Sequence, residues 1–320
     1  MPAPSTGREL HIDVPLSNTV VGRRPYGFVA DELLPVTPVD KQSNIYYKFR
    51  HLEWYRHEAG LTLRAPMTEA KKVFMTVSSD GYMAKNYALG TEWPVEDEVN
   101  ADSVLQWATN AGNFVMDKMM LDYEVRVANL CVASANVATI FVAASSWVGP
   151  AVPILTNILD WRENFRQITG RYPNTAIIPE KLHRRLAVND QIRDILFGDR
   201  GGVTTDNKQL AGLFRVGKVI TPLSQVNTSA EADPQGGTFA DIWAGNGNFW
   251  FAYIENLSGM MTDTWLNAFR WTSPLFGTPM AVQRYPFDAK RKCYGLEINY
   301  YQDEKVVSND LAIRVSSLDP

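Results

Sequence analysis

Residues 102–135, DSVLQWATNAGNFVMDKMMLDYEVRVANLCVASA, carry the longest uninterrupted helical signal in the chain, and the rest reads as packed against this segment or hung from its ends. Val104, Trp107, Ala108, Ala111, Phe114, Val115, Met119, Val125, Ala128 and Cys131 recur at spacings of three and four, the pattern that lines one face of a helix. Asn100, Asp102 and Ser103 can accept the free N–H groups of a first turn. Glu96, Asp97 and Glu98 sit where the positive end of the helix dipole favours them. No proline interrupts the run. At ~1.5 Å per residue it predicts a rod of about 50 Å, well beyond the mean helix of ~11–12 residues. Such a rod suits a spine bridging the parts of an extended subunit. The alternative is a pair of ordinary helices split near Gly112.

With 320 residues and 45% hydrophobic side chains, the chain can bury a sizeable core in one large domain or two ordinary ones. The 31 basic and 35 acidic side chains leave a net charge of −4, which supplies no basic field for gripping nucleic acid through its phosphates. The two cysteines, Cys131 and Cys293, lie far apart and read as free thiols of a reducing compartment. Residues 1–8 lack the apolar core of a secretory signal. The most apolar run, 137–148, is too short to span a bilayer and is broken by Ser145 and Ser146. A soluble, non-exported protein that does not engage membranes is the expectation.

Residues 1–44 hold six prolines and few periodic apolar positions, the signature of an arm. Such an arm stays mobile or lies along a neighbour, and Val20, Val21, Tyr26, Phe28, Val29, Leu33 and Leu34 favour the second course. Strand-like alternation from Ile45, a second run at 72–77, a turn at Ser79-Asp80-Gly81 and a third run at 82–89 predict a long hairpin. Its middle carries Arg50, Arg56, Arg64, Lys71 and Lys72 against Glu53, Glu58 and Glu69, so both signs are available for reciprocal contacts between copies. A hairpin solvated in a monomer would expose Tyr46, Tyr47, Phe49, Trp54 and Tyr55, which favours burial by a neighbouring subunit.

Beyond the spine, a β-prone run at 138–144 leads to a boundary at Gly149-Pro150 and Pro153. An amphipathic helix over 156–168 ends at Gly170. A short strand at 175–178, helices opening at Pro179 and at Asn189-Asp190, a polar loop at 198–206, a helix at 208–214 and a strand at 216–223 follow. This alternation marks a separate mixed α/β unit. Residues 239–243 and 248–254 read as two strands around the turn Gly245-Asn246-Gly247, and further strands are expected at 292–300, 304–307 and 312–315.

Chemistry-bearing motifs are missing. His57-Glu58 opens like a zinc-protease helix, but Leu61 stands where the second histidine belongs. Gly198-Asp199-Arg200-Gly201-Gly202 lacks the Lys-Ser/Thr ending of a phosphate loop, and Gly245-Asn246-Gly247 lacks the third glycine of a dinucleotide site. No catalytic, cofactor or metal site is expected, so the chain reads as no enzyme. A soluble α/β enzyme whose groups converge only in space is the remaining alternative of another class.

The order of parts, proline-rich arm, charged hairpin, long helix, mixed α/β unit and returning strands, resembles the major capsid proteins of tailed bacteriophages, the HK97-like fold. The residues that carry the likeness are Trp161-Arg162-Glu163-Asn164-Phe165-Arg166-Gln167-Ile168-Thr169-Gly170-Arg171-Tyr172-Pro173-Asn174-Thr175-Ala176-Ile177-Ile178, then 210–220, and Asn86-Tyr87-Ala88-Leu89 through Asp97-Glu98. The resemblance implies an α+β architecture with an N-arm at 1–44, an E-loop hairpin at 45–100 and a P-domain at 101–154 with its spine helix. It further implies an A-domain at 155–261 and P-domain return strands at 262–320. It also implies homo-hexamers and pentamers that close an icosahedral head around DNA without sequence-specific binding. The expected partners are a scaffolding protein, a portal and possible decoration proteins, with assembly in the host cytoplasm and residence in the virion. Arg50, Glu53, Arg56, Glu58, Arg64, Lys71 and Lys72 are the expected inter-subunit contacts, and Asp199, Arg200, Gly201 and Gly202 the expected loop at the capsomer axis. Relatives often begin with a processed scaffolding segment. If Met1 is the native start, a separate scaffold is the expectation. An encapsulin-like shell of the same fold, enclosing protein cargo, is the nearest rival.

Overall fold

The computed structural model describes residues 11–21, 23–49, 51–100, 106–143, 146–198, 206–229, 237–243, 247–255, 259–273 and 277–319. The N-terminal part forms β1 (His11–Ile12), α1 (Val14–Val21), α2 (Ala30–Leu33) and β2 (Val36–Val39). A hairpin follows from β3 (Ser43–Phe49) and β4 (Val77–Met83), with α3 (His51–Trp54) in the segment between them. Next come β5 (Lys85–Pro94), α4 (Val95–Asn100), α5 (Trp107–Val132) and β6 (Thr139–Val142). The mixed unit contains α6 (Ile154–Thr169), β7 (Thr175–Ile177), α7 (Glu180–Ala187), α8 (Asp190–Phe197), α9 (Asn207–Phe214) and β8 (Lys218–Ile220). β9 (Gln225–Asn227), β10 (Phe239–Asp241) and β11 (Phe249–Ala252) lead to β12 (Leu266–Trp271), β13 (Met280–Asp288), β14 (Cys293–Val306) and β15 (Ala312–Ser316).

Two main sheets flank the long helix α5. β14 is the axis of the first: β5 pairs along one edge of it, while β13 and then β12 pair end to end along the other. β1 and β2 extend that sheet outward. The second sheet has the order β6-β15-β11-β7-β8, so it joins strands from both ends of the chain to those of the mixed unit. One core packs α5 between the first sheet and α1–α2; a second lies under α6–α9.

α5 is continuous through Gly112, and its 26 residues span about 39 Å. The glycine serves packing: a Cβ there would stand 2.9 Å from Val20 Cγ2 of α1. Residues 101–105 lie outside the described part, and the acidic residues 96–98 form the first turn of α4 instead of leading into the spine. The buried face is Val115, Met116, Met119, Met120, Tyr123, Glu124, Val127, Ala128 and Cys131, rotated from the expected one. Phe114 is 59% exposed. Apolar residues occur nearly all round this helix, so periodicity alone does not select which side the two sheets cover.

A buried carboxylate fixes the arrangement. Glu124 is fully buried and accepts hydrogen bonds from the amides of Val29 (3.1 Å) and Ala30 (2.9 Å), from Ser224 Oγ (3.1 Å) and from Trp243 Nε1 (2.7 Å). Burial pushes its pKa up, and these donors pull it back down. Arg126, two residues on and so on roughly the opposite side of the helix, lies 3.9 Å over the Tyr87 ring and donates to Tyr300 Oη (3.0 Å) and Glu304 Oε1 (3.1 Å), tying the spine to the first sheet. At the other end, Trp250 Nε1 donates to the Cys131 carbonyl (3.2 Å) and Arg314 Nη1 to that of Val132, so the second sheet satisfies the open carbonyls of the helix terminus.

Three expectations change here. Residues 11–39 are packed on their own chain instead of standing free of it: β1 and β2 pair within the chain, Leu16, Val20, Leu33 and Leu34 are buried, and Arg23 is bidentate to Asp117 at 2.6 and 2.9 Å. Each such aliphatic side chain is worth roughly 1.5–3 kcal/mol once covered, and the spine offers the nearest apolar surface. Ser79, Asp80 and Gly81 sit inside β4, where pairing with β3 overrides their turn preference. β10 pairs with β9, and β11 lies between β15 and β7, so no hairpin joins β10 to β11.

Replacing Glu124 by Gln turns part of this acceptor into a donor that faces other donors. Glu124→Gln is expected to cost about 2–4 kcal/mol by chemical denaturation. A change below about 0.5 kcal/mol, the scale of neutral surface substitutions, would remove the carboxylate from its organising role.

Candidate assembly surface

The β3–β4 hairpin is fixed at its base and open at its tip. Tyr46 and Tyr82 pack on Phe269, with ring centroids 5.0 and 4.7 Å away, and Val39 and Val307 complete this small core. Tyr46 Oη (3.2 Å) and Lys48 Nζ (2.8 Å) both donate to Asp80 Oδ2. The Lys48 bond holds the Asp80 carboxyl below its usual range, while burial pushes the Tyr46 hydroxyl up. Met83 N donates to Asp303 Oδ2 (2.9 Å), anchoring the end of β4 near β14.

The tip, residues 51–76, presents apolar side chains to solvent: Phe74 is 84% exposed, Leu63 79% and Trp54 69%, with Met67, Val73 and Met75 also open. An exposed group of large apolar residues rimmed by charge marks an interaction surface. Glu53, Arg56, Glu58 and Lys72 line one open cleft of about 350 Å³ together with Phe74. Arg56 pairs with Glu58 (3.4 Å), and Glu53 Oε2 accepts from Thr76 N (3.3 Å) across the two limbs of the tip. Arg64 and Lys71 do not line that cleft: Arg64 Nε donates to the Thr68 carbonyl and Lys71 Nζ to that of Gly60 (2.7 Å). Arg50, Asp199, Arg200, Gly201 and Gly202 lie outside the described residues.

One contact has no signal in the sequence. Gly170 caps α6 in the left-handed region (φ 73°), and the Tyr55 ring of the tip lies 3.2 Å from where its Cβ would be. Arg171, paired with Asp263 at 3.0 Å, lies close enough to Tyr55 for the two to interact electrostatically. The glycine cap is readable; the distant ring that uses the bare backbone is not. Among the described residues, no group of three or more His, Cys, Asp or Glu could hold a metal, and no helix is long and apolar enough to cross a membrane. Tyr55→Ala is expected to raise amide exchange throughout 51–76 while the melting temperature shifts by less than about 2 °C. Unchanged exchange would show that the ring does not hold the tip.

No family model matches the chain. Over 245 residues it is 25% identical to the major capsid protein of Burkholderia phage BcepMu, covering 73% of this chain and 74% of that one. A phage-related protein from Bordetella bronchiseptica superposes with a TM-score of 0.72 at 17% identity, covering 97% and 98% of the two chains. The capsid of cyanophage P-SCSP1u gives 0.58 at 12% identity, covering 92% and 89%. An encapsulin from Synechococcus elongatus gives 0.52 at 10% identity, covering 90% and 86%. An anchored hairpin with an exposed tip, a spine helix and two mixed sheets therefore constitute the HK97-like fold of phage capsids, and in sequence the chain is similar to a phage major capsid protein.

Proposed function

We propose that this chain is the major capsid protein of a tailed phage, assembling as hexamers and pentamers into an icosahedral head that encloses double-stranded DNA. The observation that carries this reading is the hairpin tip. Its base is locked by Tyr46, Tyr82 and Phe269, while its far end leaves Trp54, Leu63 and Phe74 uncovered beside charges of both signs. Apolar area of this kind is stabilised when a second copy covers it, and closed symmetry repeats each modest contact many times. The role is structural and not enzymatic, in keeping with the capsid relative. A net charge of −4 suits a container in which DNA slides instead of being held.

In this reading residues 1–44 are the N-arm, 45–100 the E-loop, 101–154 and 262–320 the P-domain, and 155–261 the A-domain, with Asp199, Arg200, Gly201 and Gly202 at the capsomer axis. Arg50, Glu53, Arg56, Glu58, Arg64, Lys71 and Lys72 meet charges of the adjacent copy. A scaffolding protein and a portal are its partners, assembly takes place in the host cytoplasm, and the mature protein resides in the virion. The likeness to an encapsulin favours one second reading, a shell for protein cargo. Nucleic acid in purified particles decides for the phage head, and an enclosed enzyme for the rival. Arg56→Glu combined with Arg64→Glu is expected to abolish particles in electron micrographs while leaving the far-ultraviolet circular dichroism unchanged. Normal particles from this variant would remove the hairpin from the assembly contact.

A further inference from the structure

The hairpin is fastened to the body of its own chain at two points along one limb. The inner point is the root, where Tyr46 packs on Phe269 beside Tyr82. The outer point is the seat at the end of α6, where the Tyr55 ring lies on Gly170. The seat is firm. Thr169 is fully buried, its hydroxyl donates to the Phe165 carbonyl (2.8 Å) and accepts from Arg171 N (3.2 Å), and Gly170 N donates to the Arg166 carbonyl (2.8 Å). Arg171 is held beside it by Asp263.

The ring that uses this seat is held lightly. Tyr55 is 57% exposed and rests on bare backbone, so little of its apolar area leaves water. The bonds from Lys71 to the Gly60 carbonyl and from Thr76 N to Glu53 run within the tip and add nothing to this hold. A contact of this size opens readily at the cost of few interactions. Two fastenings on one limb prevent the hairpin from turning about its root; with the outer one open, the root alone remains as a pivot. Trp54, next to Tyr55, and Phe74 on the facing limb stay bare while the ring is seated. Covering them with a second copy, at angles that differ between rings of six and of five, needs that pivot.

We infer that Tyr55 on Gly170 is an autoinhibitory latch: it parks the hairpin tip on the subunit's own mixed unit and must open before the tip engages another copy. The inference rests on the reading of the chain as a self-assembling shell subunit and adds to it a control on when assembly starts. A subunit whose competent state is only a fraction of the population associates as though diluted by that fraction, so weakening the latch promotes assembly. A ring that instead pre-set the tip for its partner would give the opposite sign, because its loss would hinder assembly.

The test unseats the ring from either side and measures, by light scattering and electron microscopy, the lowest subunit concentration at which particles form. Gly170→Asn keeps every side chain of the tip. Asparagine tolerates the left-handed backbone at this position (φ 73°), and its Cβ would stand 3.2 Å from the ring, with the amide beyond it displacing the ring further. Tyr55→Ala removes the ring itself. Both variants are expected to exchange amides faster over 51–56 and to form particles at a concentration about threefold or more below that of the wild type. An equal or higher threshold in either folded variant overturns the latch, while wild-type particles leave the shell reading standing. Unchanged exchange in Gly170→Asn overturns the latch as well. Absence of particles from the wild type at every concentration removes the shell reading, and the latch with it.

Discussion

The architecture depends on one buried charge. A carboxylate taken out of water costs several kcal/mol unless hydrogen bonds replace its hydration. The donors around Glu124 come from segments far apart in the chain: the amides before and at the start of α2, Ser224 after β8, and Trp243 after β10. All must be in place together. The spine, the N-terminal segment and the mixed unit are therefore fixed relative to one another by the need to satisfy a single side chain. Arg126 on the first sheet and the carbonyl caps from Trp250 and Arg314 on the second extend the same logic along α5. The helix is a spine in the energetic sense: its polar groups are satisfied by nearly every part of the subunit.

Against this rigid body, the hairpin is graded in stability along its length. Its base buries Tyr46 and Tyr82 on Phe269, whereas its tip holds few apolar contacts and relies on exposed hydrogen bonds and on Tyr55 over Gly170. Segments of low local stability are those that can change partners. A firm root with an adaptable end is what an element needs if copies in slightly different surroundings are to be joined by the same residues.

The hairpin tip and the far end of the first sheet differ in kind. The hairpin tip is adaptable, with charges already engaged on its own backbone and side chains, such as Lys71 on Gly60 and Arg56 on Glu58. The end of the first sheet holds the Phe287 and Tyr294 rings tilted against each other, and Asp288 closes its turn.

Much of this protein was legible in its sequence. The spine from Trp107, the α6 helix stopped by Gly170, the strand at Thr175, the Asn189 cap and the β-rich return all follow from periodicity, caps and proline placement. These are local signals, and local backbone preferences decide them. The charged, aromatic hairpin was readable as a projection, but of the aromatics expected to lie bare in a lone chain Tyr46 is buried on Phe269 at its base and Tyr55 rests on Gly170, while Tyr47 and Trp54 are exposed. Tertiary structure alone decided which face of α5 is buried, because apolar residues surround that helix and only the positions of the sheets choose among them. It decided that residues 11–39 belong to the body of the subunit, because β1 and β2 gain pairing partners more than 200 residues away. It also decided that Glu124, one acid among many along the chain, is the point on which the segments converge. A buried charge is defined by what surrounds it, and those surroundings exist only once the chain has folded.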